Sequence, residues 1–202
     1  MAREFYRQLI HLSGIFFIFL AQFTGSLIAS FYFFLIAATF LIYSYYVKYQ
    51  QQKLVKLMHR IETKIRDLAT SLDRKQIQMP FIGAFWFFFA CGVTFLLFPL
   101  HIASAATLIL AVGDALSTLV GINMGKHRIT RNKTVEGSLA MFIGSLLAFI
   151  FIGYLAIPLA VIATIIEILP DLKPIRRLNE RNIVDDNLLI PIICAIAIYL
   201  ML

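Results

Sequence analysis

Cysteine is scarce in this chain: Cys91 and Cys194 each stand alone within an apolar run. No spacing suits a metal or a disulfide framework, and both read as packing residues. Acids are few, 11 against 18 lysines and arginines. Proline stays at the margins of apolar runs: Pro80 begins one, Pro99 and Pro170 close two others, and Pro158 and Pro191 fall within first turns, where a missing N–H matters least. There is no internal repeat and no low-complexity linker. What fills the chain is apolar: 60% hydrophobic residues over 202 positions and a mean hydropathy of +0.85. That composition excludes an ordinary soluble domain and points to membrane-spanning helices.

Seven apolar segments are expected, at about 9–23, 27–47, 80–98, 102–122, 137–153, 155–169 and 187–202. Several are shorter than the roughly 20 residues a bilayer core requires, the first and sixth most clearly. The N-terminus (Arg3, Arg7, then apolar from Leu9) has the look of a secretory signal. With so many spans following, it is expected to be retained. The fold class is therefore all-α: a polytopic membrane protein of about seven transmembrane helices in a single bundle, with 1–202 as one domain.

Charge placement is an independent guide. Two cations precede the first segment, eight lie at 48–75, four at 126–133 and four at 173–181, while the connections near 23–26, 99–101 and 153–155 carry none. Cations are retained in the cytoplasm, which puts the N-terminus inside and the C-terminus outside. The net charge of +7 is thus a topological signal, and no nucleic-acid partner follows from it. Residues 48–78 repeat Leu54, Leu57, Met58, Ile61, Ile65, Leu68 and Leu72 at helical spacing between charges. They read as a cytoplasmic amphipathic segment, either a solvated hairpin or a helix lying on an anionic leaflet.

The stretch from Gly113 to Gly137, GDALSTLVGINMGKHRITRNKTVEG, concentrates the polar groups. Asp114, Ser117, Thr118, Gly121 and Gly125 share one helical face. A carboxylate at bilayer depth usually faces a cavity or a partner. Gly121 and Gly125 suit helix packing, and Gly125 and Gly137 would also let backbone N–H groups approach phosphate. Lys126, His127, Arg128, Arg131, Asn132 and Lys133 follow, and Glu136 sits where either a helix-terminal role or chemistry is open. In the last loop Glu167, Asp171, Arg176, Arg177, Asp185, Asp186 and Asn187 gather near one membrane face. Asp185 and Asp186 read as helix caps or as oxygen ligands for a hard cation. His11, four residues after Arg7, is either a satisfied polar residue or a contributor from the first helix.

GDALSTLVGINMGKHRI (113–129), KTVEGS (133–138), Glu167 with Pro170, DDNLLIP (185–191) and, more weakly, RQLIH (7–11) together resemble the CTP-dependent polyprenol kinases: dolichol kinase, phytol kinase and the yeast-type diacylglycerol kinase. The resemblance covers most of 102–191. Integral-membrane CDP-diacylglycerol synthases are related, but they carry a C-terminal Lys-Asp and Gly-His-Gly-Gly block that this chain lacks. Thr134, where many of the kinases have Ser, is a departure in the other direction.

What the resemblance implies is transfer of the terminal phosphate of CTP to a membrane-embedded isoprenoid alcohol or diacylglycerol. Mg²⁺ would be the metal and the site would face the cytoplasm, in the cell membrane or the endoplasmic reticulum. On this reading Asp114, Glu136 and Glu167 are catalytic, and Asp114, Glu136, Asp185 and Asp186 hold the metal. The nucleotide falls to Gly125, Lys126, Arg128, Asn132, Lys133, Gly137, Arg176, Arg177 and Asn187. Either Glu167 or Asp114 accepts the alcohol's proton. The alternatives are a CDP-lipid synthase, separable by its products, and a transporter.

Overall fold

The computed structural model describes residues 2–49, 81–172, 175 and 185–202. The amphipathic segment expected at 48–78 therefore lies almost wholly outside the described residues, as do Arg176 and Arg177. Among the described residues the chain is all-helical, with an isolated bridge between Arg128 and Thr134. In order, the helices are α1 (Ala2–Thr24), α2 (Ser26–Tyr49), α3 (Ile82–Leu97), α4 (Leu100–Leu108), a π-helical segment (Ile109–Asp114), α5 (Ala115–Met124), α6 (Val135–Ser145), α7 (Phe149–Ile152), α8 (Ala156–Ile168) and α9 (Asp186–Met201).

Among the described residues, three stretches are long and apolar enough to cross a membrane: Ser26–Tyr46, Leu100–Met124 and Val135–Asp171. Ile82–Leu97 and Asp186–Met201 are shorter apolar helices. The third long stretch is folded back on itself. Lys133, just before it, meets Glu167 near its far end at 2.6 Å. The turn is at Gly153, whose φ of 57° is a left-handed conformation that glycine adopts without a Cβ penalty. The segments expected at 137–153 and 155–169 are thus the two legs of one hairpin.

α4, the π segment and α5 form the axis of the bundle. In this stretch 72% of the most apolar window is buried, against 22% and 28% in the other two long stretches. The outer surface is apolar too, with Phe16, Phe23, Leu27, Phe31, Ile150 and Tyr154 well exposed. So many large apolar side chains on the exterior mark a surface that meets lipid or a partner rather than water.

Where the surroundings are as apolar as the side chains, helices associate through close packing of small residues. A Cβ on Gly92 would lie 3.0 Å from the Phe34 ring, so α2 and α3 touch there. The contact is closed by Ser30 donating to the Gly92 carbonyl at 2.9 Å and by Phe33 stacking on Phe95. The axial helix and α6 meet in the same way. A Cβ on Gly144 would be 3.2 Å from the Gly113 Cα, and one on Gly137 would be 2.9 Å from the Ser117 carbonyl. This crossing sets Ser117, Gly121 and Gly137 around a common hollow.

Candidate functional site

The hollow has a volume of about 410 Å³ and is lined by Ser117, Thr118, Gly121, Ile122 and Gly125 of the axial helix, Arg128, Arg131, Asn132, Lys133 and Thr134 of the loop, Gly137 of α6, and Glu167 of α8. Its rim is exposed and cationic, at Arg128 and Arg131, while its floor is buried. There Thr118 is 7% exposed, Ser117 4% and Glu167 0%.

The loop from Gly125 to Thr134 is a short hairpin. Val135 N–H donates to the His127 carbonyl at 2.8 Å, and Ile129 N–H to the Lys133 carbonyl at 3.0 Å. Thr134 caps α6 by accepting from Gly137 N–H at 3.1 Å. Asp171 pins the hairpin to the end of α8: its carboxylate accepts from Thr130 Oγ1 at 2.6 Å, Asn132 N–H at 3.0 Å and Asn132 Nδ2 at 2.7 Å. Lys133 is left pointing inward.

The Lys133 ammonium is 2.6 Å from Glu167 Oε1 and 3.6 Å from Asp186 Oδ2, with 14% of the side chain exposed. Burial works against its charge, but Glu167, Asp186 and Asp114 outweigh burial and hold the ammonium above its ordinary range. Ser117 Oγ donates to the same Glu167 oxygen. The other oxygen, Oε2, is buried and has no hydrogen-bond partner among the described residues.

Asp114, 4% exposed, ends the π segment, a local geometry that recurs at functional sites. Its Oδ2 lies 3.1 Å from His11 Nδ1, a close contact rather than a well-aligned hydrogen bond. The His11 ring packs on Phe87 with centroids 4.9 Å apart. One turn earlier on α1, Arg7 donates to Thr118 Oγ1 at 3.4 Å. The first helix therefore reaches the axial face at both residues of the RQLIH pair.

Several residues of the expected site lie elsewhere. Glu136 turns away from the hollow to His127, with Oε1 2.7 Å from Nδ1 and both oxygens 3.3 Å from the His127 N–H. Its place on the first turn of α6 points it at the loop backbone. Asp185 caps α9, accepting from Asn187 N–H at 2.9 Å, and Asp186 accepts from the same N–H at 3.1 Å. Burial and the adjacent Asp186 push the Asp185 carboxyl up to about 8. Among the described residues no three of Asp, Glu, His and Cys gather around a point that would hold an ion. Asp114, Glu136, Asp185 and Asp186 are therefore not a preformed metal cage: Glu136 is spent on His127, and Lys133 stands between the acids of α8 and α9.

Gly125 and Gly137 line the hollow, but both are required by packing. A Cβ on Gly125 would fall 2.2 Å from the Gly121 carbonyl and 2.7 Å from Thr134 Cγ2. Gly137 N–H is already used by Thr134. Lys126 is exposed and is not among the lining residues. Asn187 lies beside α3, its Nδ2 3.7 Å from where a Gly83 Cβ would be, and its Oδ1 is buried with no partner among the described residues. Asn132 lines the hollow while holding Asp171. Asp171 stands in the sequence among the acids of the last loop, but its role as the clamp of the 125–134 loop is not legible there. Its only signal was proximity to Glu167 in an acid-poor chain.

No family model matches the chain, and no solved structure matches it. Over 93 residues it is 44% identical to an uncharacterized protein of Methanocaldococcus jannaschii. That stretch is 45% of this chain and 44% of the length of the archaeal protein, so the chain spans under half of its relative.

Proposed function

We propose that the chain is a lipid-alcohol kinase that transfers the terminal phosphate of CTP to a membrane-embedded alcohol. One observation carries this reading: a cationic rim leads into a pocket in which a half-buried lysine is bracketed by Glu167 and Asp186. Phosphoryl transfer is mostly positioning plus neutralisation of charge, and it asks for cations at the phosphates and a carboxylate near the attacking hydroxyl. Arg128, Arg131 and Lys133 are the cations that line the pocket. The resemblance of residues 113–129, 133–138 and 185–191 to the CTP-dependent polyprenol kinases supports CTP as donor.

Mg²⁺ usually binds through one or two carboxylates together with substrate phosphates and water. The acids suit an ion that arrives with the triphosphate rather than one that resides in the protein. Asp186, 30% exposed at its side chain, and its neighbour Asp185 would hold it, and its chemistry there would be neutralisation of the developing phosphate charge. On this reading the seven apolar segments cross the bilayer, the N-terminus is cytoplasmic, and the pocket opens at the inner boundary. A soluble donor and an apolar acceptor meet at that boundary.

The test is a panel of lipid alcohols with labelled CTP, ATP and UTP, following label transfer and the released nucleotide. Labelled lipid phosphate together with CDP is expected. Pyrophosphate with a cytidylylated lipid would make the chain a CDP-lipid synthase, and solute flux without nucleotide turnover would make it a transporter.

A further inference from the structure

We infer that the hairpin at 125–134 is an interfacial anchor that lies in the headgroup layer of an anionic leaflet. Met124 and Ile129 dip toward the acyl chains, and Lys126 and Arg131 meet phospholipid phosphates. The inference goes beyond the kinase reading and does not depend on it. It rests on the bundle standing in a bilayer.

A single exposed isoleucine on a water-facing loop is ordinary. Here the apolar exposure does not stop where the helices stop. On α6, Val135, Leu139 and Ile143 fall at i, i+4 and i+8, share one face and are all exposed. α5 ends on Met124, which is 65% exposed, and between the two helices Ile129 is 45% exposed in an otherwise polar loop. In water such side chains forgo the burial that a lipid boundary offers.

The loop's own polar groups are largely paired inside. Ile129 N–H and Thr130 N–H both donate to the Lys133 carbonyl, at 3.0 and 3.2 Å, and Val135 N–H donates to the His127 carbonyl. Asp171 takes Thr130 Oγ1 and two donors of Asn132. Polar groups that keep a partner cost less to withdraw from bulk water.

Charge selects the kind of leaflet. Residues 125–134 hold Lys126, Arg128, Arg131 and Lys133 and no acid. The acids that reach the loop are engaged: Glu136 with His127, Asp171 with Thr130 and Asn132, and Glu167 and Asp186 with Lys133. Lys126 and Arg131 are exposed, and neither has a carboxylate partner among the described residues. An anionic leaflet favours each such cation by about fivefold. Lys126 and Ile129 do not line the pocket, so this surface is separate from the cations that face into the hollow.

The chain has one tryptophan, Trp86, so Ile129→Trp with Trp86→Phe places a single reporter on the hairpin. The full chain is reconstituted in nanodiscs of phosphatidylcholine with phosphatidylglycerol, one or the other lipid brominated. Emission shifted to the blue of indole in water and weak quenching by acrylamide are expected. Bromolipid quenching should show a preference for phosphatidylglycerol of about fivefold or more at low salt. The preference should fall below about twofold near 1 M NaCl, where the Debye length is about 3 Å. Adding Lys126→Gln should cut the low-salt preference severalfold without moving the emission. Should Trp86→Phe fail to fold, Ile129→Cys carrying a polarity-sensitive dye reads the same position, because Cys91 and Cys194 are buried. A reporter as open to acrylamide as free indole puts the hairpin in water and overturns the anchor. Equal quenching by the two lipids, or a preference that Lys126→Gln leaves intact, overturns the anionic assignment. A chain that stays out of the nanodiscs removes the bilayer reading and the anchor with it. None of these readouts uses phosphoryl transfer, so the kinase reading stands or falls separately.

Discussion

Replacing Lys133 by Met is the most informative perturbation of this bundle. Its ammonium is 14% exposed and lies 2.6 Å from a carboxylate that is 0% exposed. Exposed ion pairs contribute about 0–1 kcal/mol. Removing one partner of a buried pair leaves an uncompensated charge and costs about 3–5 kcal/mol. The Lys133 pair belongs to the second class because, among the described residues, Glu167 retains Ser117 alone as donor once Lys133 is gone. Lys133→Met is therefore expected to destabilise by about 3 kcal/mol or more. Glu167→Gln leaves a partly exposed lysine still facing Asp186 at 3.6 Å, and should cost less. The double variant Lys133→Met/Glu167→Gln removes both charges and should recover most of the loss, an interaction energy of about 2 kcal/mol or more. Denaturant titration in mixed micelles for the wild type, both single variants and the double closes the cycle. Transfer activity should stay absent in the double variant while stability returns, which separates the structural part of the pair from the chemical part. If Lys133→Met unfolds within about 1 kcal/mol of the wild type, or if the double variant is additive, the contact is a screened surface pair and the reasoning fails.

Asp171→Ala removes the acceptor of three hydrogen bonds that tie Thr130 and Asn132 to α8. It should cost about 2 kcal/mol and raise KM for the nucleotide more than it lowers kcat, as steady-state kinetics would show. Gly125→Ala would place a methyl 2.2 Å from the Gly121 carbonyl and should destabilise by about 1–3 kcal/mol through overpacking. Gly83→Ala, whose Cβ meets nothing nearer than 3.7 Å among the described residues, is the control and should melt with the wild type. His11→Leu leaves Asp114 buried beside an apolar side chain and should be destabilising, with Asp114→Asn in the same chain restoring stability. Melting curves that show no such restoration would mean the two residues are not coupled.

The residues that define the hollow show where sequence periodicity is enough and where it stops. Asp114, Ser117, Thr118, Gly121 and Gly125 belong to one helical face because 3.6 residues make a turn, and that much is readable without coordinates. The π segment at Ile109–Asp114 is not readable, since one extra residue in a turn leaves the composition unchanged. The same difficulty applies to Glu136. Its acidic side chain before an apolar run is visible in the sequence, but its pairing with His127 depends on how the loop hairpin closes.

What the sequence by itself determined is the all-helical character, the placement of most apolar helices, and the collection of acids and cations in the connections around 126–136 and 167–186. Those properties follow from local periodicity and from the high cost of charge in an apolar surround. Tertiary structure alone decided that Asp171 clamps the loop, and that Lys133 goes to Glu167 and Asp186 while Glu136 goes to His127. The physical reason is that several carboxylates compete for few cations. An ångström-scale difference in where helices cross, here set by Gly113, Gly121, Gly137 and Gly144, determines which of them comes within reach.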